Sequence, residues 1–150
     1  MRAKLSGMEW LTGDESAIAL TPPAWALGAT PEEADELLAL LLAGTKTATS
    51  SAAAVYAKEG VAPPAEGDLS IVLDGHGRPR ALVATTQVRL CAFEDVDAAH
   101  AAAEGEGDRS LAHWRRVHEK FFTEELAQVG EQFNSRSAVV LETIRVLDPR

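Results

Sequence analysis

The chain has 150 residues, enough for one domain with one core, and 46% of them are hydrophobic, as in an ordinary globular protein. A formal net charge of −9 argues against broad binding to duplex DNA or RNA, which needs many lysines and arginines, but leaves room for a small basic site holding one nucleotide or a short single strand. Cys91 is the only cysteine and lies in a strand-like stretch, so a buried structural thiol and a reducing compartment are expected. With no signal pattern and no apolar run of membrane-spanning length, the expected location is cytoplasmic, with no membrane partner.

Residues 1–29 read as an arm broken by Thr21-Pro22-Pro23, with Trp10 and Trp25 as anchors that lay it on the core. A helix is predicted over 31–43. Thr30 is its N-cap, Pro31 its first residue, and Glu33 completes a capping box. Ala34, Leu37, Leu38, Leu41 and Leu42 form its apolar face, and Gly44 ends it. The turn Gly44-Thr45-Lys46-Thr47-Ala48-Thr49 then presents a lysine and three threonine hydroxyls where helix carbonyls lack partners. A cation grouped with hydroxyls suits an anionic or carbonyl-bearing ligand. On this segment alone the plainer reading is preferred: Lys46 offsets the helix dipole and Thr49 caps a short helix over 50–58.

A loop over 60–67 carries Pro63 and Pro64, and the pattern then turns to β. A strand is predicted over 69–74 and a turn over 75–79. Residues 80–93 follow as one bent strand or two short ones. An Ala-rich helix over 94–103 is broken by Gly105 and Gly107. Asp108 or Ser110 caps a further helix over 111–122, whose apolar face holds Leu111, Trp114, Val117, Phe121 and Phe122; residues 123–129 continue it or begin another turn. A largely buried strand over 138–147 closes the chain. The long central β run and the closing strand place the chain in the α+β class, as a small mixed barrel rather than a doubly wound sheet.

The segment Glu104-Gly105-Glu106-Gly107-Asp108-Arg109-Ser110 is the second unusual feature. Acids before a helix N-terminus gain from its positive end, which does not explain two glycines and an arginine. A functional reading makes one carboxylate a general base or metal ligand, with Arg109 or the helix amides holding a phosphate. Glu104, Glu106 and Asp108 are the candidate metal ligands. Their spacing does not fit a calcium loop, whereas Mg²⁺ bridged through phosphates is compatible. His113 and His118, five apart, do not chelate as an i, i+4 pair would, and His118 reads as a packed, hydrogen-bonded ring. His76 reads as solvated in a turn.

Trp25-Ala26-Leu27-Gly28, Ala34-Asp35-Glu36-Leu37, Gly44-Thr45-Lys46-Thr47-Ala48-Thr49, Gly67-Asp68 and Glu104-Gly105-Glu106-Gly107-Asp108-Arg109-Ser110-Leu111, with Trp114-Arg115 and His118, together resemble the ASCH domain family, in its bacterial single-domain branch. The resemblance runs from about residue 20 to the end. It implies a PUA-like fold, a small β-barrel with helices around a central cleft, and an association with RNA. Two activities are implied: metal-assisted cleavage of single-stranded RNA, and amide hydrolysis of N4-acetylcytidine by a smaller relative that uses a lysine, a threonine and a glutamate. Those three fall on Lys46, Thr49 and Glu106, with Glu104 the second choice for the carboxylate. Thr47, Arg109, Ser110 and Trp114 are expected to bind substrate or phosphate, with Trp114 or Tyr56 stacking on a base. The expectation is therefore a hydrolase directed at single-stranded RNA or a nucleotide. A metal-independent amidohydrolase and a non-catalytic binding module are the alternatives. The longer N-terminal arm and the Gly-rich acidic loop depart from the smaller relative.

Overall fold

The computed structural model describes residues 2–4 and 21–149; the expectations for Trp10 and most of the N-terminal arm lie outside them. The first helix, α1 (Pro31–Leu42), forms for the reasons given by its sequence. Thr30 Oγ1 accepts the Glu33 N–H at 3.1 Å, and Pro31 opens the first turn. Glu33 does not close the capping box: its Oε2 accepts the Ala29 N–H at 2.7 Å. Ala34, Leu37, Leu38 and Leu41 are buried, whereas Leu42, expected in the core, is exposed at the last turn. Each leucine buried on this face contributes about 1.5–3 kcal/mol.

Six strands make one sheet in the order β1-β2-β4-β5-β6-β3. They are β1 (Arg2–Lys4), β2 (Ala24–Leu27), β3 (Ala48–Ala52), β4 (Leu69–Leu73), β5 (Pro79–Ala92) and β6 (Ala138–Pro149). All neighbours are antiparallel except β2 and β4. The α+β class holds. The ladder runs from β1 to β3, which approach one another, but no strand pairing joins those two ends among the described residues, so the expected barrel is not closed by hydrogen bonds there. The long β run is a single strand, bent by register shifts at Leu82/Val83 and Thr85/Gln87.

Residues 48–52, three of them expected in a helix, are instead β3, paired along its whole length with β6, and α2 (Ala53–Glu59) starts only afterwards. The small residues Ala48 to Ala52 have weak strand propensity of their own, and pairing with β6 decides the matter. The helix expected over 94–103 is a short 3₁₀ turn (Phe93–Asp95) followed by α3 (Ala98–Glu104), which Asp97 caps. Ser110, not Asp108, caps α4 (Leu111–Gln128), which runs well past Phe122. Trp114, Phe121, Phe122 and Leu126 of α4 join Val139 and Leu141 of β6 in the core with Phe93. Cys91, expected to be buried, is half-buried, and burial pushes its thiol up.

Candidate functional site

Three local devices bring the two unusual segments together. The Thr45 and Lys46 N–H groups both donate to the Leu40 carbonyl at 3.0 and 3.1 Å, so the Lys46 backbone, not its ammonium, satisfies the end of α1. The Thr47 N–H and Oγ1 both donate to the Ala103 carbonyl, at 2.7 and 3.3 Å. At the end of α3, Gly105 turns with φ +74, and a Cβ there would lie 2.6 Å from the Thr45 carbonyl oxygen. Gly107 likewise has no room for a Cβ beside the His113 ring. The acidic loop has two glycines because the Lys46 turn and α4 are packed against its backbone.

The side chains then converge on Glu104, which is the last residue of α3 rather than part of the loop and has no exposed surface. Its Oε2 accepts hydrogen bonds from the Trp114 indole N–H, from Ser50 Oγ at 2.6 Å and from His100 Nε2 at 2.9 Å. Its Oε1 lies 3.3 Å from Lys46 Nζ and 3.5 Å from His118 Nε2. The lysine side chain is itself fully buried and also donates to Glu106 Oε1 at 3.2 Å and to the Glu104 carbonyl at 3.4 Å. Glu106 is the member at the rim, 12% exposed at its side chain. Burial pushes the Glu104 carboxyl up, but His118, Lys46 and the His100 hydrogen bond outweigh it and hold the group well below the usual carboxylate range. The centre is thus an ammonium between two carboxylates, one fixed and one at the edge.

Lys46 and Glu106 meet as expected, and Glu104 is the more deeply placed of the two acids. The other expected residues are used differently. Thr49 is buried near the start of β3, and strand alternation puts it on the opposite face from Ser50, in register with Glu142, which accepts from Thr85 at 3.1 Å. Trp114 is buried, its ring 4.2 Å from the His118 ring and 5.3 Å from that of Phe93, so its faces are covered by protein. Tyr56 donates to Ser51 Oγ at 2.7 Å. Exposed Arg109, at φ 65, donates through Nε to the Ala102 carbonyl at 3.0 Å and so closes α3. The Ser110 hydroxyl caps α4, and exposed Asp108 accepts the Ser110 N–H at 2.9 Å.

Sequence reasoning missed Ser50 and His100. His100 and Glu104 are four apart on α3, as are Trp114 and His118 on α4, a spacing that puts each pair on one helix face. Ser50, His100 and Glu104 do not form a nucleophile relay. Serine and carboxylate both meet the same ring nitrogen, Nε2, whereas a relay needs them on opposite nitrogens. They act as a clamp on Glu104. Among the described residues the side chains able to share a metal ion are Glu104, Glu106 and His118, so His118 stands where Asp108 was expected. A cavity of about 210 Å³ between α2 and α4, lined by Val55, Phe121, Glu125 and Val129 among others, is a separate feature.

Comparison with known proteins identifies the family and the fold. The family model for the ASCH domain matches residues 23–148. The chain is similar to the crystal structure of an ASCH domain from Lactobacillus crispatus JV V101, at 34% identity and a TM-score of 0.78, over 82% of this chain and 77% of that one. It is also similar to a protein from Enterococcus faecalis V583, at 34% identity and a TM-score of 0.81, over 87% and 78% of the two chains. No curated protein matches the sequence.

Proposed function

The chain belongs to the ASCH domain family, generally thought to bind RNA, and from that premise we propose that the Lys46 centre hydrolyses single-stranded RNA or a nucleotide derived from it. One observation carries this reading: a fully buried lysine held between a clamped carboxylate, Glu104, and a carboxylate at the rim, Glu106. A buried ammonium is expensive to keep and is retained where its charge is used. On ligand binding Glu106 moves off Lys46, and the ammonium faces the scissile phosphate. Glu106 takes the proton of the 2′-hydroxyl. The 2′-oxygen bonds to phosphorus as the bond to the 5′-oxygen breaks, and Lys46 protonates the leaving 5′-oxygen. The products are a 2′,3′-cyclic phosphate and a free 5′-hydroxyl. Proton transfer from Glu106 through water restores both groups.

A second reading is favoured by charge. Lys46 is already offset by two carboxylates, and the chain carries −9 overall, so a small neutral nucleoside is admitted more readily than a long polyanion. In that reading the centre hydrolyses the amide of an N4-acetylcytidine-type nucleoside without metal, Lys46 stabilising the oxyanion and Glu106 activating a water, because Thr49 lies on the other face of β3. The test is to incubate a short single-stranded RNA and, separately, N4-acetylcytidine with wild type and with Lys46→Ala, and to follow products by chromatography. Lys46-dependent strand cleavage supports the first reading, and cytidine release supports the second. Retained RNA binding with no turnover of either would make the domain a binding module.

A further inference from the structure

We propose that Glu104, Glu106 and His118 form a binding site for a divalent transition-metal ion such as Zn²⁺ or Co²⁺, and that the Lys46 ammonium competes for the same seat. The starting observation is His118. Its side chain has no exposed surface, and its Nδ1 lies 2.8 Å from the Trp114 carbonyl oxygen. A carbonyl only accepts, so Nδ1 carries a proton and donates it. Nε2 is then the nitrogen that faces the centre, and a metal bound there takes the place of the proton that a charged ring carries beside Glu104. This nitrogen has no hydrogen-bond partner among the described residues, and lies 3.5 Å from Glu104 Oε1.

A ring nitrogen fixed by a backbone carbonyl on its far side is how metal-binding histidines are held. The spacing fits as well. Two ligands each about 2.0–2.1 Å from a tetrahedral Zn²⁺ stand roughly 3.3–3.4 Å apart, close to the His118–Glu104 separation. One ligand atom from each of Glu104, Glu106 and His118 lies within 4.8 Å of the others, so a contraction of at most about 1.5 Å at Glu106 completes three protein ligands. Glu106 can supply it, because it stands at the rim between Gly105 and Gly107, both at positive φ. Glu104 supplies a fixed first ligand. Three donors hold its Oε2, which leaves Oε1 directed at the centre. An imidazole nitrogen with two carboxylates suits Zn²⁺, Co²⁺ or Mn²⁺ better than Mg²⁺, which prefers oxygen.

Lys46 Nζ stands 3.3 and 3.2 Å from the two carboxylates. A dication bound there repels the ammonium and takes over both of its partners. The centre therefore holds either the lysine or the metal, and metal affinity is set partly by how firmly Lys46 is seated.

The test is a titration of chelator-treated full-length protein with Co²⁺, read by visible absorption, and with Zn²⁺, read by calorimetry. Wild type is expected to bind one ion per chain with the absorption of a low-coordinate Co²⁺ site. Lys46→Ala should bind at least tenfold more tightly, and its melting temperature should rise on metal addition. Glu106→Gln, at the rim and expected to fold, should bind at least tenfold more weakly, as should His118→Ala if it folds. Failure of both wild type and Lys46→Ala to bind one ion overturns the site, as does wild-type affinity in Glu106→Gln. Unchanged affinity in Lys46→Ala overturns the competition. None of these readouts depends on RNA or nucleoside turnover, so the proposed activity can fail without this site failing, and the reverse.

Discussion

Gly105 is packed so tightly against Thr45 that a Cβ on it would stand 2.6 Å from the Thr45 carbonyl oxygen, and its φ of +74 is one that side chains resist. Gly105→Ala must push the Lys46 turn away from α3. The expected loss is roughly 1–3 kcal/mol of stability, with a larger proportional loss of activity because Lys46 and Glu104 separate. Gly60→Ala has a similar positive φ with nothing within 4 Å, and serves as the control. Thermal melts of the two variants should differ clearly; equal melting temperatures would mean that the close approach is unimportant.

Lys46→Ala is expected to abolish turnover and also to lower stability. Removing the ammonium leaves Glu104 and Glu106 facing each other in a buried site, a change that typically costs about 3–5 kcal/mol. Adding Glu106→Gln to Lys46→Ala should restore part of the melting temperature without restoring activity. A double variant no more stable than the single would show that carboxylate repulsion is not the cause.

The two glutamates should separate by kind of loss. Glu104→Gln places an amide against three donors, so it should lower the melting temperature by several degrees (about 2–4 °C per kcal/mol for a chain of this length). Glu106→Gln should melt near wild type and lose most of its turnover. Matching melting curves for the two variants would contradict the clamped and rim assignments.

Two carboxylates outside the centre set opposite pH trends. Burial beside Phe121 and Val55 pushes Glu125 from 4.5 up to about 7. The folded chain therefore holds this proton more tightly than the unfolded one. The stabilisation is complete below about pH 4.5 and is lost as pH rises through about 7. Glu125→Gln should flatten stability over that interval. Asp74 is held down from 3.8 to about 2, chiefly by the Arg78 N–H, so its contribution is present above about pH 4 and is lost as pH falls through about 2. Asp74→Asn should remove that acid-side loss. Denaturant melts across the pH range check both signs.

What could be read from the sequence follows from which interactions are local. The ends of α1 and the face of α4 were legible because caps and helical periodicity act within a few residues. β3 was not, because small residues over 48–52 carry little preference and their partner is β6, more than eighty residues away. In the candidate site, Lys46 and the acidic segment were visible as types. The rank of Glu104 over Glu106 in depth depends on where α3 ends, and the burial of Trp114, expected as a stacking platform, is decided by Phe93 and His118. The pairs His100 with Glu104 and Trp114 with His118 were within reach of an i, i+4 search.

The bonds that build the centre join positions far apart in the chain: Lys46 to Glu104 spans 58 residues, Lys46 to Glu106 spans 60, and Ser50 to Glu104 spans 54. Closing so long a loop is entropically opposed until other contacts hold its ends, so these bonds are expected to form late in folding rather than in an early nucleus. Loss of Lys46 should then leave the refolding rate almost unchanged and accelerate unfolding, which makes this centre a kinetic latch on the finished fold.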